Sequence, residues 1–582
     1  MKQIKKNILT IGLILPLLFA FSSCGKFLDR PVEDSYNMDN FYETADQCYA
    51  AVNSIYNSPW YDMQRFFIQA GEILSGNIYG GGTYLNFSVT SSDENLNLAS
   101  ASLWSVNAYC NNVIETMGRV PASVSDDVKN TVKGEALVWK AMAYFFLVRI
   151  WGAVPIIHNN SEIIAAGNYN EVFKATIPNV YDYIILTLNQ AIEWLPEHNQ
   201  PGRIDRYCAY GLLAKVYLTK SGYGMSGTRN QEDLDNAAKY AKLVIDGSGR
   251  HLMPNYEDIF RLHNNKSEES MIAWRWISSQ NWTSQNGMQA DYAIPGFTGW
   301  DDGWGAWTGP SADLEDAFGE NPLSMTRNNR DTRRKATMMM WGDHYDYFWR
   351  NAGGFDWADY VTNGILQADG TRAANGHDEW GGTCAPAGAN CVKHLVGNDF
   401  DHRDEGGGPS YRMSTGLATH LLRLADVYLI YAEAKIGNAG STTDASALSA
   451  YNAVLLRAIP GETAKTSITW DDVWKQRRLE LAGEGDRWND YVRRSYYDPD
   501  GAINELKNQR RSTYSGLYEF YSTGALDPNT TYYDKTPTIP NPAAMYDSKL
   551  KSFVFPFPNT DVVSNPNLLL DPVDQDISQY KY

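Results

Sequence analysis

From Val128 to Ile150 the apolar residues Val128, Val132, Ala136, Trp139, Ala143, Phe146, Leu147 and Ile150 recur at steps of three and four. That spacing predicts a long helix with one wide apolar stripe turned towards neighbouring helices. Ser125 stands where a side-chain oxygen can accept from the first-turn amides, and Asp126, Asp127 and Arg149 suit the two ends of the helix dipole. Gly152 can end the helix, and Pro155 forces Val154 towards extended backbone, so the chain leaves in a set direction.

The same period recurs on either side. Thr44 with Gln47 forms a capping-box pattern before a helix carrying Cys48, Val52, Ile55 and Tyr56. Trp104, Ala108, Val113 and Met117 predict a helix over 101–118, and Pro178 to Leu195 another. Ala209 to Tyr217, Leu234 to Ile245, Leu421 to Lys435 and Ala447 to Ala458 complete four candidate pairs. Alanine, tyrosine and leucine at the close-packing positions follow the logic of a helical-repeat body, mostly α. Between 250 and 414 the helical period fades and Gly, Asn, Asp and aromatics dominate. The chain is therefore divided into residues 1–23, a helical region 24–249, an aromatic-rich insertion 250–414, and a helical region 415–582 that completes the same body.

Composition narrows the class. At 582 residues, 43% hydrophobic and 20% charged, the chain is globular, and a net charge of −18 argues against nucleic acid or anionic headgroups as partners. Lysines at 2, 5 and 6, an apolar run from Ile8 to Phe21, then Ser22, Ser23 and Cys24 have the layout of an export signal too short to span a membrane. Of the five other cysteines, Cys48, Cys110 and Cys208 fall in helical patterns, while Cys384 and Cys391 flank a short flexible segment and are a possible disulfide. No histidine or cysteine spacing signals a metal, and Asp301-Asp302-Gly303 lacks the spacing of a calcium loop. No cofactor is expected.

Several stretches together resemble the SusD/RagB family of surface lipoproteins. They are Ala141-x-x-Tyr144-Phe145-x-Leu147-Val148-Arg149-x-Trp151-Gly152-x-Val154-Pro155, Gly202 to Ala209, Ala214 to Leu218, Arg423 to Ala434, Arg477 to Trp488, and Phe555-Pro556-Phe557-Pro558 followed by Asn565 to Leu568. Phe21 to Cys24 resembles a lipobox, and Phe27 to Pro31 the family's opening after its lipidated cysteine; Phe21, Gln476, Leu481, Leu569 and Leu570 depart from the usual residues. The resemblance implies a tetratricopeptide-like scaffold of four repeats and lipidation of Cys24. It also implies a place on the outer face of the outer membrane, and a SusC-like TonB-dependent transporter as partner.

Ten of the 18 tryptophans lie between 274 and 380. An indole in a long loop needs either the interior or a ligand against its face, and pyranose rings stack well on such surfaces. Candidate ligand-binding residues are Trp282, Trp300, Asp301, Trp304 and Trp307 in the insertion, with Tyr79, Tyr84 and Asn86 upstream. Trp104, Trp139, Trp151 and Trp488 sit in helical motifs and are expected in the core. The charged cluster Arg477, Arg478, Glu480, Glu484, Asp486 and Arg487 is read as mutual pairing at helical spacing, with no catalytic residues assigned. The expected function is capture of an oligosaccharide for uptake, without enzymatic activity; peptide cargo and a secreted glycoside hydrolase are the alternatives.

Overall fold

The structure, a computed structural model, describes residues 42–281, 283–305, 308–373, 387–533 and 553–582. Its body is a series of long helices packed side by side. Asp126–Trp151 lies between Glu94–Met117 and Ile177–Trp194; Arg206–Lys220 packs on Ile177–Trp194 and on Gln231–Gly247. Gln231–Gly247 then meets Leu424–Ile436, which carries Ala445–Ala458 and Trp470–Leu481. The C-terminal helices thus continue the stack that the N-terminal ones begin.

The central helix starts and stops as its sequence predicts. Ser125 accepts from the Val128 amide, and Gly152 turns the chain at φ 72°. Its burial differs from the expected single stripe, because every residue from Gly134 to Trp151 is buried. The charged ones are satisfied inside: Glu135 takes Arg203 Nη2 at 2.8 Å and Tyr56 Oη at 2.6 Å, and Lys140 Nζ donates to Asn111 Oδ1 at 2.7 Å. A helix enclosed by partners on all sides can keep such groups only when each finds a bond. At its exit Trp151 Nε1 donates to the Pro556 carbonyl at 3.0 Å and its ring stacks on Phe557, so two separated motifs of the sequence meet here.

Two expected boundaries move. The helix predicted over 101–118 begins at Glu94, where Asp93 accepts from the Leu96 amide at 2.9 Å. The helix expected from Leu421 begins at Leu424, because Thr419–Arg423 is a strand paired antiparallel with Ser270–Trp274. Among the described residues between 250 and 414 no helix exceeds seven residues, and the strands pair only two by two.

The charged cluster is interior, and its partners are mostly distant in sequence rather than one helical turn away. Glu480 and Glu484 meet Arg423, Arg457, Arg333 and Lys393, while Arg477 meets Asp426, Asp486 and Asp490. Trp470–Leu481 ends before Glu484, so that residue is free to point at another element. Arg423 and its neighbours hold the carboxyl of Glu484 down at about 2.

Candidate ligand-binding site

Two glycines decide where Trp304 points. A Cβ on Gly303 would lie 2.3 Å from the Ile294 carbonyl oxygen, and one on Gly305 2.2 Å from that of Tyr292. With hydrogen in those places, the segment lies directly on the backbone of the short helix Met288–Tyr292 and the turn after it. The Trp304 amide donates to the Ala290 carbonyl at 2.7 Å and the Gly305 amide to that of Ala293 at 2.8 Å. The indole is left facing outward, 41% exposed, with the Arg412 guanidinium 5.8 Å from its ring centre.

Trp300, 39% exposed, stands on the same loop and is held through its edge: Nε1 donates to Ser410 Oγ at 3.0 Å. Ser410 is itself tied by its amide to Asp399 Oδ1 at 2.7 Å. Buried Asp302 accepts from the Thr298 hydroxyl and the Met413 amide, which joins the tryptophan loop to the 410–413 loop. Asp301 is exposed at φ 53°. The pair of loops thus presents two indoles whose positions are set by bonds beneath them.

Beside Trp304 opens a cavity of about 390 Å³. Thr308 and Met413 line it with Trp304, and across from the loops come Arg65, Ile68 and Gln69, Glu94 and Asn95, and Asp291. Gln69 opens a π-helical turn, Gln69–Leu74, that follows the helix Met63–Ile68. Glu94 and Asn95 sit in the first turn of Glu94–Met117. Hollows of about 580 and 700 Å³ lie elsewhere, the first between residues 316–331 and the helices after Ala445, but no tryptophan lines either.

The chain matches the model of the SusD family over residues 212–572, and a second model, described as starch-binding and associating with the outer membrane, over 27–218. A SusD-like protein of Bacteroides ovatus is 32% identical, covering 98% of this chain and 99% of the relative. The chain belongs to the SusD family. Among solved structures, one described as holding a xylogluco-oligosaccharide is 30% identical with a TM-score of 0.74, covering 91% of this chain and 99% of that one. A SusD homolog from Bacteroides thetaiotaomicron, 19% identical with a TM-score of 0.66, covers 93% of this chain and shares the fold.

On this SusD-family body the expected ligand residues divide. Trp300, Asp301 and Trp304 stand together on one loop. Tyr79 is half-buried and pairs with Gly309 just past that loop, yet does not line the cavity. Tyr84, 2% exposed, packs on Phe66 and Phe555 and donates its hydroxyl to Asp93 at 2.8 Å; its face belongs to the interior, contrary to the expectation of a binding surface. Asn86, two residues on in the same turn, is half-buried and is not a cavity residue. Trp282, Trp307, Trp380, Cys24 and Cys384 lie outside the described residues; the Cys391 thiol is buried, and burial pushes its pKa up.

Four insertion tryptophans are core residues instead: Trp274, Trp276, Trp349 and Trp357. Trp341 stacks on Tyr521 at 4.3 Å. Among the expected core tryptophans, Trp139, Trp151 and Trp488 are buried and Trp104 is half-buried. Sequence reasoning missed Arg65, Gln69, Glu94, Asn95 and Asp291, which come from segments far apart in the chain. Among the described residues no group of three metal-ligating side chains comes together, and no helix is long and apolar enough to cross a membrane.

Proposed function

We propose that this SusD-family protein captures an oligosaccharide on Trp300 and Trp304 and passes it to a SusC-like TonB-dependent transporter. A lipid on Cys24 holds it to the outer face of the outer membrane. The observation that carries the reading is the pair of exposed indoles on loops stitched from below, with a cavity beside Trp304 that carries Arg65, Gln69, Glu94, Asn95 and Asp291. A rigid aromatic face takes the C–H side of a pyranose with little loss of side-chain entropy, while cavity amides and carboxylates bond its hydroxyls. The related structure with a xylogluco-oligosaccharide supports the same ligand class here.

The test is calorimetric titration of the form lacking residues 1–24 with xylogluco-, cello- and laminari-oligosaccharides. Saturable heat without new reducing ends, lost in the Trp300→Ala, Trp304→Ala double variant at unchanged melting temperature, is the expected outcome. Release of new reducing ends would instead make it a hydrolase. Hand-off is tested in cells, where Cys24→Ala is expected to release the protein from the membrane and slow uptake of the labelled oligosaccharide.

A further inference from the structure

The cavity beside Trp304 carries three ionisable side chains, Arg65, Glu94 and Asp291. They differ in how much of their charge a ligand would feel. Asp291 lies on the helix Met288–Tyr292, whose Ala290 carbonyl holds the Trp304 amide at 2.7 Å, so one turn of backbone positions both indole and carboxyl. Among the described residues no donor is hydrogen-bonded to that carboxyl, and Arg65 acts on it only through space. Burial pushes it up to about 6 despite the pull of Arg65. A carboxylate half-withdrawn from water and without donors gains from a hydroxyl that a ligand brings.

The Arg65 side chain is exposed, and among the described residues it forms no ion pair. Its charge is screened by solvent and salt more than that of Asp291, which is half-buried in the cavity wall. Glu94, exposed at the rim, adds a second negative group. A ligand carboxylate placed here would meet the like charge of half-buried Asp291, and Arg65 and Arg412, both exposed and screened by solvent, would offset it less.

Resting on the platform reading above, we propose that Asp291 determines specificity: it accepts hydrogen bonds from the hydroxyls of a neutral sugar stacked on Trp304 and, with Glu94, turns away sugars bearing carboxylates. The ligand class is thus a neutral oligosaccharide rather than a uronate-containing one. The net charge of −18 on the whole chain acts in the same sense on approach.

The experiment titrates the form lacking residues 1–24 with a xyloglucan heptasaccharide, cellohexaose and laminarihexaose, each beside its own form oxidised at C6 to the carboxylate. The wild-type protein is expected to bind the best neutral member about tenfold more tightly than its acid form. Asp291→Asn keeps shape and removes charge, and should narrow that ratio to about threefold or less; Glu94→Gln should narrow it less. A ratio that Asp291→Asn leaves unchanged at an unchanged melting temperature overturns the assignment, as does tighter binding of the acid forms, which would give the selecting role to Arg65. If neutral binding survives Trp304→Ala, or no member binds at all, the platform itself falls and this proposal with it. Loss of binding in Trp304→Ala with no effect of Asp291→Asn sinks the specificity proposal alone.

Discussion

Arg423 grips Glu484 with two hydrogen bonds, Nε to Oε2 at 2.6 Å and Nη2 to Oε1 at 2.8 Å, and both side chains are buried. Lys393 Nζ shares Oε1 at 2.9 Å, and Arg423 reaches on to Glu269 at 2.6 Å and Glu480 at 3.0 Å. The network ties the strand Thr419–Arg423 to the segment after Trp470–Leu481, and it lies outside the ligand cavity. Glu484→Gln leaves two buried cations short of a counter-charge, and should cost roughly 3 kcal/mol of stability. Denaturant unfolding measures that loss; oligosaccharide affinity of the folded fraction should not change. A loss of affinity at full stability would give Glu484 a role in binding.

Acid should act through the same groups. Glu484 and Glu433 are each held down at about 2, the latter by Arg493 and Arg229, whereas a carboxyl in the unfolded chain titrates near ~4.3. Below ~4.3 the unfolded chain takes up protons that these two folded carboxylates still refuse. Their contribution to stability is therefore complete above about pH 5 and falls away as pH drops towards 2. Urea midpoints measured across that window should decline steeply, and Glu433→Gln should lose part of the slope. An identical slope in the variant would show that other groups drive acid unfolding.

The sequence places Tyr84 among binding residues, and its surroundings assign it to the fold. The hydroxyl donates to Asp93, and Asp93 in turn caps Glu94–Met117 through the Leu96 amide. Tyr84→Ala removes a ring packed between Phe66 and Phe555 and should cost about 3 kcal/mol or more. Oligosaccharide affinity of the folded fraction should stay within about twofold, a difference of roughly 0.4 kcal/mol. Titration of the variant below its melting range decides between the two roles.

Local signals were legible in the sequence where one turn of backbone determines them. The Thr44 capping box and the Ser125 cap are both formed as read. The strand Thr419–Arg423 was not, because its partner Ser270–Trp274 lies some 150 residues away and Leu421-Leu422 fits a helical stripe equally well. Tryptophan content likewise marked the right region without saying which rings face out. Trp274 and Trp304 occur in similar aromatic company, yet one is enclosed by Trp60 and Phe67 while the other is thrown outward by its flanking glycines. Asp291 and Arg65 carry no local pattern at all; only the folded chain sets them beside Trp304.

Those flanking glycines give a test that leaves the indole itself in place. Gly305→Ala would set a Cβ 2.2 Å from the Tyr292 carbonyl oxygen, a backbone atom that cannot swing aside as a side-chain tip can. The segment must lift, which breaks or lengthens the bonds from the Trp304 and Gly305 amides to Ala290 and Ala293. Trp304 then leaves the edge of the cavity while its ring remains exposed. If orientation of that ring is what binds sugar, affinity should fall about tenfold, near 1.4 kcal/mol, although no ligand-contacting side chain has been removed. Gly305 is itself buried, so the melting temperature should drop as well, and affinity is to be read on the folded fraction below that range. Retained affinity in Gly305→Ala, alongside lost affinity in Trp304→Ala, would mean that the indole binds without the geometry its glycines impose.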